Sequence, residues 1–403
     1  MDNGRNIKFN KIALLSAIIF IISPFLAIPF ILLGIINKSK FSLQLMALLF
    51  GIVGYIYIPN LSDDKARYFE LYENFKDSSF IELFAYLMLQ GQDFIFQSMF
   101  YWASQMNISA QYVFLIVTLI SMSLILSVYY KITVRIPATK EYRFYFIILF
   151  FLALPYIDLF SGTRFMFAAA FILMGFYIGL IDRRKIAFLL LLTASFIHFS
   201  TLVFIPVFCV LFFFPNHNVK YRLFFLMSLL FLVLPSSVIL YVFDMIGLSG
   251  GLAVKKDAYL TGDDFVQNAL DESYINRIIF SLEMLWICSM YIFLFFFSKI
   301  NSLYKNIVLF TAGIINLFFS IPTIFFRYAL ILKLLFVFLL IAEIYVYRQK
   351  LWVYYFGSIL ICIFFFQIIS GLPNIVETYF NKDVLLSFSI FYKKHFELND
   401  FIQ

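Results

Sequence analysis

Five basic side chains stand where an apolar chain tolerates few. Arg164, Arg277 and Arg327 each open a hydrophobic run, His198 interrupts another, and Lys333 lies nearly two turns beyond Arg327. An ionisable group within a bilayer is expensive, so it faces a cavity or a partner. Basic groups gathered in one place repel one another unless a polyanion joins them. Arginine suits that use, because its guanidinium stays charged and grips phosphate oxygens through paired hydrogen bonds. The chemistry on offer is recognition of a lipid phosphate or pyrophosphate, with the imidazole of His198 suited to proton exchange near neutral pH. Each residue also has a blander use. An arginine at a span end anchors headgroups, a lone histidine bonds a neighbouring carbonyl, and Lys333 can snorkel toward water.

A second set precedes them. The run Pro59-Asn60-Leu61-Ser62-Asp63-Asp64-Lys65-Ala66-Arg67-Tyr68-Phe69-Glu70-Leu71-Tyr72 predicts a helix capped by Ser62, its first turn carrying carboxylates that the helix dipole favours. Asp64, Tyr68 and Tyr72 then fall four apart on one face. A carboxylate above two tyrosines has the makings of a sugar-binding surface; the same pattern fits an amphipathic helix lying on the membrane. Residues 80–106 continue as interfacial helices, with Phe80, Phe84, Phe94, Phe100, Tyr101 and Trp102 interspersed with Gln and Asp93. Asp158 is placed to pair with Arg164. Glu283 and Glu343 fall inside apolar runs, either as proton carriers or as partners of nearby polar groups.

The elements that must position these groups are membrane helices. Of 403 residues, 63% are hydrophobic and 13% charged, against roughly 45–50% and roughly 25% in an ordinary globular chain. No soluble core absorbs so much apolar surface, which excludes soluble enzyme folds, nucleic-acid modules and disulfide scaffolds. The net charge of +7 sits in short clusters between apolar runs, so it orients the chain and does not recruit nucleic acid. Cys209, Cys288 and Cys362 lie inside apolar stretches, with no metal-ligand spacing and no glycine-rich phosphate loop anywhere.

A span needs about 20 mostly apolar residues. Candidates are 12–36, 41–59, 110–130, 143–160, 164–181, 223–246, 277–298, 304–321, 327–347 and 351–371. Five basic turns mark the cytoplasmic side: Lys131 to Arg143, Arg183-Arg184-Lys185, Lys220 with Arg222, Lys299 with Lys305, and Arg348 with Lys350. The two long polar segments, 60–109 and 247–276, then lie outside, where Asp263, Asp264, Asp271 and Glu272 keep the second one acidic. This choice makes 186–214 a hairpin of two short helices turning near His198 to Ser200. The rival, one tilted span, would reverse everything downstream. The hairpin brings Arg164, His198, Arg277 and Arg327 to the outer half together. The whole chain, 1–403, reads as one membrane domain with a C-terminal tail over 372–403. It leaves Arg5, Lys8 and Lys11 outside, against the charge rule, while Lys38 and Lys40 agree with it.

Three pieces in order carry a resemblance: the acidic-tyrosine loop (Asp63, Asp64, Tyr68, Tyr72), Arg164-x-x-x-Ala168 opening a span, and Arg183-Arg184-Lys185 followed by Phe196-Ile197-His198-Phe199-Ser200. The pattern resembles the EpsG and Wzy-type O-antigen polymerase families of bacterial polysaccharide assembly. The resemblance implies an all-α polytopic fold with about 10–12 membrane helices, similar to type C glycosyltransferases. It implies a multi-pass protein of the bacterial inner membrane. This protein would transfer a growing undecaprenyl-pyrophosphate-linked glycan onto a new lipid-linked repeat unit at the periplasmic face, without metal or other cofactor. Partners so implied are undecaprenyl-pyrophosphate-linked oligosaccharides, membrane lipids, a chain-length regulator and a flippase. The arginines that contact pyrophosphate would be Arg164, Arg277 and Arg327, with Lys333 beside them. His198 or Asp64 would serve as proton acceptor, and Tyr68 and Tyr72 would meet the sugar with Asp63 or Asp64, a doublet that departs from the family pattern and leaves the matching carboxylate open. A flippase for the same lipid-linked units and an O-antigen ligase remain the alternatives. A flippase calls for an internal repeat and charges on both sides, while a ligase shares the arginines.

Overall fold

The computed structural model describes residues 11–59, 63–90, 93–235, 237, 274–298, 303–347 and 351–379. Outside them lie the predicted cap Ser62, the acids Asp263, Asp264, Asp271 and Glu272, the basic turn residues Lys299, Arg348 and Lys350, and most of the second outer loop and the tail. Every regular element among the described residues is helical, and the protein is an all-α polytopic membrane protein. Five helices are long and apolar enough to cross a bilayer, and shorter apolar helices accompany them.

The first expected span is two helices, α1 (Lys11–Ile22) and α2 (Ile28–Ile36). Pro24 lacks the amide that would continue α1, and Pro29 falls in the first turn of α2, where that loss costs nothing. Next come α3 (Lys40–Ile56), the outer-loop helices α4 (Asp64–Phe75), α5 (Phe80–Gln90) and α6 (Phe94–Gln105), and the long α7 (Ala110–Arg135). Then follow α8 (Lys140–Ala153), the short α9 (Tyr156–Phe160) and α10 (Thr163–Phe176), which runs on as a π-helical turn to Ile181. The predicted run 223–246 is described only as α13 (Asn218–Ser228) and a short 3-10 turn after it. The later helices are α14 (Tyr274–Ile292), α15 (Leu303–Asn316), α16 (Pro322–Val346) and α17 (Leu351–Tyr379). Within their apolar windows α10 and α16 are 78% and 83% buried, against 28% for α14 and α17, so α10 and α16 are the central posts.

The segment 186–214 is a hairpin. Its arms are α11 (Ala187–Ile197) and α12 (Phe204–Phe213), joined by an extended His198 and a 3-10 turn over Phe199–Val203. Phe188 at the start of α11 meets Phe208 and Phe212 near the end of α12, with ring centres 5.0 and 5.6 Å apart. Arg183 donates to the Phe212 carbonyl at 3.0 Å, so both arms begin and end at the basic turn. That end is stitched further by Asp182, which Arg135 binds at 2.6 Å and Lys131 at 3.6 Å. Gly179 lets the hairpin close. A methyl group there would stand 2.4 Å from the Phe208 ring and 2.6 Å from the Ala187 Cβ. Gly179→Ala should therefore cost about 1–3 kcal/mol by overpacking, read as a lower thermal unfolding midpoint of the purified protein in detergent.

Candidate active site

The opposite end of the bundle is organised around Asp93. This residue sits at the N-cap of α6 in the left-handed region, with φ 60° and ψ 33°, and makes no side-chain cap bond to its own helix. A non-glycine residue pays about 1–2 kcal/mol to stay there. The conformation aims the carboxylate across the bundle. One oxygen accepts from the Arg164 guanidinium in the first turn of α10. The other accepts from His198 Nδ1 at 3.1 Å and from the Phe199 amide at 3.1 Å, both at the break of the hairpin. Asp93 and His198 are 0% and 2% exposed. A buried carboxylate is costly unless its lone pairs are filled, and three donors from two other elements fill these.

The bond fixes the imidazole. A carboxylate can only accept, so Nδ1 carries the proton of the neutral ring and Nε2 keeps its lone pair. Nε2 is buried and has no hydrogen-bond partner among the described residues. Ser200 Oγ, Thr163 Oγ1 and Gln97 Oε1, each within four residues in sequence of His198, Arg164 or Asp93, are also buried without partners among the described residues. Unmet polar atoms are scarce in folded chains. The bare Nε2 beside the Asp93–Arg164 pair marks a place suited to a polar ligand.

Arg327 reaches the same place from α16, half-buried and within electrostatic reach of His198 and Asp158. The hydroxyl of Tyr328 donates to the Ser200 carbonyl at 2.7 Å, and its ring packs on Phe165 and Phe204. Tyr68 of α4 completes this side, with the Arg164 guanidinium 5.6 Å from its ring centre.

Other predicted residues sit differently. Arg164 pairs with Asp93 where Asp158 was expected; Asp158 instead shares the neighbourhood of Glu283, Arg327 and Lys333. Tyr68 and Tyr72 do not form an open sugar platform. Both are buried at 7% exposure, because the apolar face of α4 must cover the ends of α6 and α7. Asp64 turns outward to Arg67 at 3.3 Å, and Asp63, the residue at the N-cap, accepts from the Tyr57 hydroxyl at 3.0 Å. Lys333 does not snorkel. It is buried, donates to Gln367 at 2.7 Å and lies 3.6 Å from Glu283, which also accepts from Trp286 and Gln367. Glu343 accepts from Ser298. Arg277 is exposed in the first turn of α14. One turn on, Phe280 packs on Phe326 with ring centres 4.7 Å apart, which sets Arg277 at the same end as Arg327.

A groove of about 910 Å³ adjoins the charged cluster. Phe94, which follows Asp93, and Phe196, two residues before His198, meet at its inner end with ring centres 6.1 Å apart. Trp102, Met106 and Ile116 carry it outward, and each is more than 40% exposed, so the groove opens sideways.

The EpsG family model matches residues 40–381, which span Asp93, Arg164, His198 and Arg327 alike. The chain belongs to the EpsG family. Membership suggests a polysaccharide polymerase-like role, and the match leaves out α1 and α2. No curated protein and no solved structure matches the chain. Within EpsG terms, Asp93 is the residue that sequence reasoning passed over. It is the single acid between Glu82 and Glu141, alone in an aromatic stretch, and that isolation was the available signal.

Proposed function

We propose that this EpsG protein polymerises a surface polysaccharide, O-antigen or similar. It would transfer a growing glycan from its undecaprenyl-pyrophosphate carrier onto a new lipid-linked repeat unit at the periplasmic face of the bacterial inner membrane. The observation that carries the reading is the Asp93-centred cluster, which sets a cation and a bare imidazole nitrogen next to an exposed apolar groove. The groove takes the prenyl chain, and Arg164 with Arg327 takes the pyrophosphate.

The acceptor hydroxyl attacks the anomeric carbon as the bond from that carbon to the pyrophosphate oxygen breaks. The electron pair leaves with the pyrophosphate, where preorganised guanidinium groups stabilise the growing charge. The hydroxyl proton passes to His198 Nε2, held ready by Asp93 as a carboxylate holds an imidazole in other acid–base pairs. Asp93 is a positioning group, since it acts through the imidazole.

Reconstitution tests the reading. Vesicles holding the purified protein and undecaprenyl-pyrophosphate-linked repeat units should yield a ladder of lengthened glycans and free undecaprenyl pyrophosphate. Movement of single units across the vesicle membrane without bond formation would make the protein a flippase. Transfer only onto a lipid A–core acceptor would make it a ligase.

A further inference from the structure

At the basic end, far from Asp93, α3 and α7 part to leave a crevice of about 360 Å³. Lys40, Gln44, Ser123, Ser127, Tyr130 and Lys131 supply its polar lining. No carboxylate lines it. Lys40 stands 5.7 Å from the centre of the Tyr130 ring, and Lys131 reaches the Asp182 carboxylate at 3.6 Å while Arg135 holds that carboxylate at 2.6 Å. Lys131 and Arg135 thus share one acid, and Lys40 adds a further cation to a crevice whose lining holds no carboxylate. Ser127 donates to the Ser123 carbonyl at 2.6 Å and so presents its lone pairs outward, whereas the Gln44 amide and Ser123 hydroxyl can donate. From Lys131 to Ser123 the helix descends about 12 Å at its ordinary rise, the depth of a headgroup and its glycerol.

We infer that this crevice binds a phosphate ester between Lys40 and Lys131, a site separate from the Asp93 cluster. Such a ligand has two sources, the headgroup of an anionic phospholipid or a soluble phosphate monoester. The basic turns place the crevice against the cytoplasmic leaflet, whose lipids are anionic, and basic pockets between helices on that side hold such headgroups. Lys40 is exposed, so it guards the mouth; Lys131 is half-buried and forms the inner contact. The site does not depend on the polymerase reading, because no residue of the Asp93 cluster lines it.

The test uses the full chain purified from vesicles of phosphatidylcholine doped with phosphatidylglycerol, with retained lipid counted by native mass spectrometry. Glycerol 3-phosphate, added to protein in plain phosphatidylcholine, reads the soluble arm through thermal unfolding. Lys40→Gln and Lys131→Gln should each weaken the bound ester about tenfold, the loss of one direct charge-assisted hydrogen bond. Lys131→Gln leaves Arg135 on Asp182, so the helix end stays closed. Gln44→Leu, on an exposed position, should weaken binding without changing charge. Arg184→Gln, on the same end but outside the crevice, should change nothing. Retained phosphatidylglycerol identifies the lipid source, and protection by glycerol 3-phosphate alone identifies the soluble one. Binding of neither overturns the site. So does an equal loss in Arg184→Gln, which would mean attraction to the surface only.

Discussion

Replacing Arg164 by alanine is expected to stop chain growth while leaving single lipid-linked repeat units intact. One preorganised charge lost from a leaving-group site costs about 10²–10³ in rate. The variant also strands Asp93, because removing one partner of a buried ion pair leaves the other charge uncompensated, at about 3–5 kcal/mol. A fall in activity alone therefore cannot separate the two effects. A double replacement does. Arg164→Gln with Asp93→Asn removes both charges and keeps hydrogen-bonding groups of similar size. Thermal stability should then return to within about 1 kcal/mol of the parent, while the polysaccharide ladder stays absent. A ladder of full length from a double variant present at normal level would refute the role given to the guanidinium.

Much of this geometry was legible in the sequence, for reasons that can be named. The cations were visible because apolar neighbours make each one an anomaly, and the hairpin followed from charge counting, since only a return at His198 keeps Arg183 and Lys220 on one side. What the sequence hid was pairing. Asp93 lies 71 positions before Arg164 and 105 before His198, so no local rule connects them. Asp158 stood nearer to Arg164 and looked the better partner, but α9 carries it toward Arg327 and Lys333. The tyrosines of α4 were misplaced for a different reason. Spacing of four residues says which side chains share a face, not whether that face meets water or protein, and Phe69 and Phe75 beside them decide for protein. The break in the first span was readable at Pro24 and Pro29, where ring and missing amide override hydropathy.

Lys65 sets the second large expectation. It is fully buried, and its Nζ donates to the carbonyls of Gly54 at 2.7 Å and Tyr57 at 2.8 Å, the end of α3. Those carbonyls have no partner within α3, and the two N–H groups of the amine satisfy them. The rings of Phe114 and Tyr57 lie 4.6 and 5.1 Å from it. Lys65 thereby ties α4 to α3 and keeps Tyr68 under Arg164. Lys65→Met strands two buried acceptors, worth about 1–3 kcal/mol each, and should lower the unfolding midpoint together with polymer length. The pH dependence supplies an independent reading. Burial pushes the Lys65 amine well below the usual lysine range, with Asp63 pulling weakly the other way. Between that lowered value and 10.5, the unfolded chain holds a proton that the folded chain has released. Stability must rise with pH across that window and be lost again as pH falls through the folded value. In Lys65→Met that rise should vanish, and a parent and variant with parallel unfolding curves from neutral to alkaline pH would show that Lys65 keeps its proton on folding.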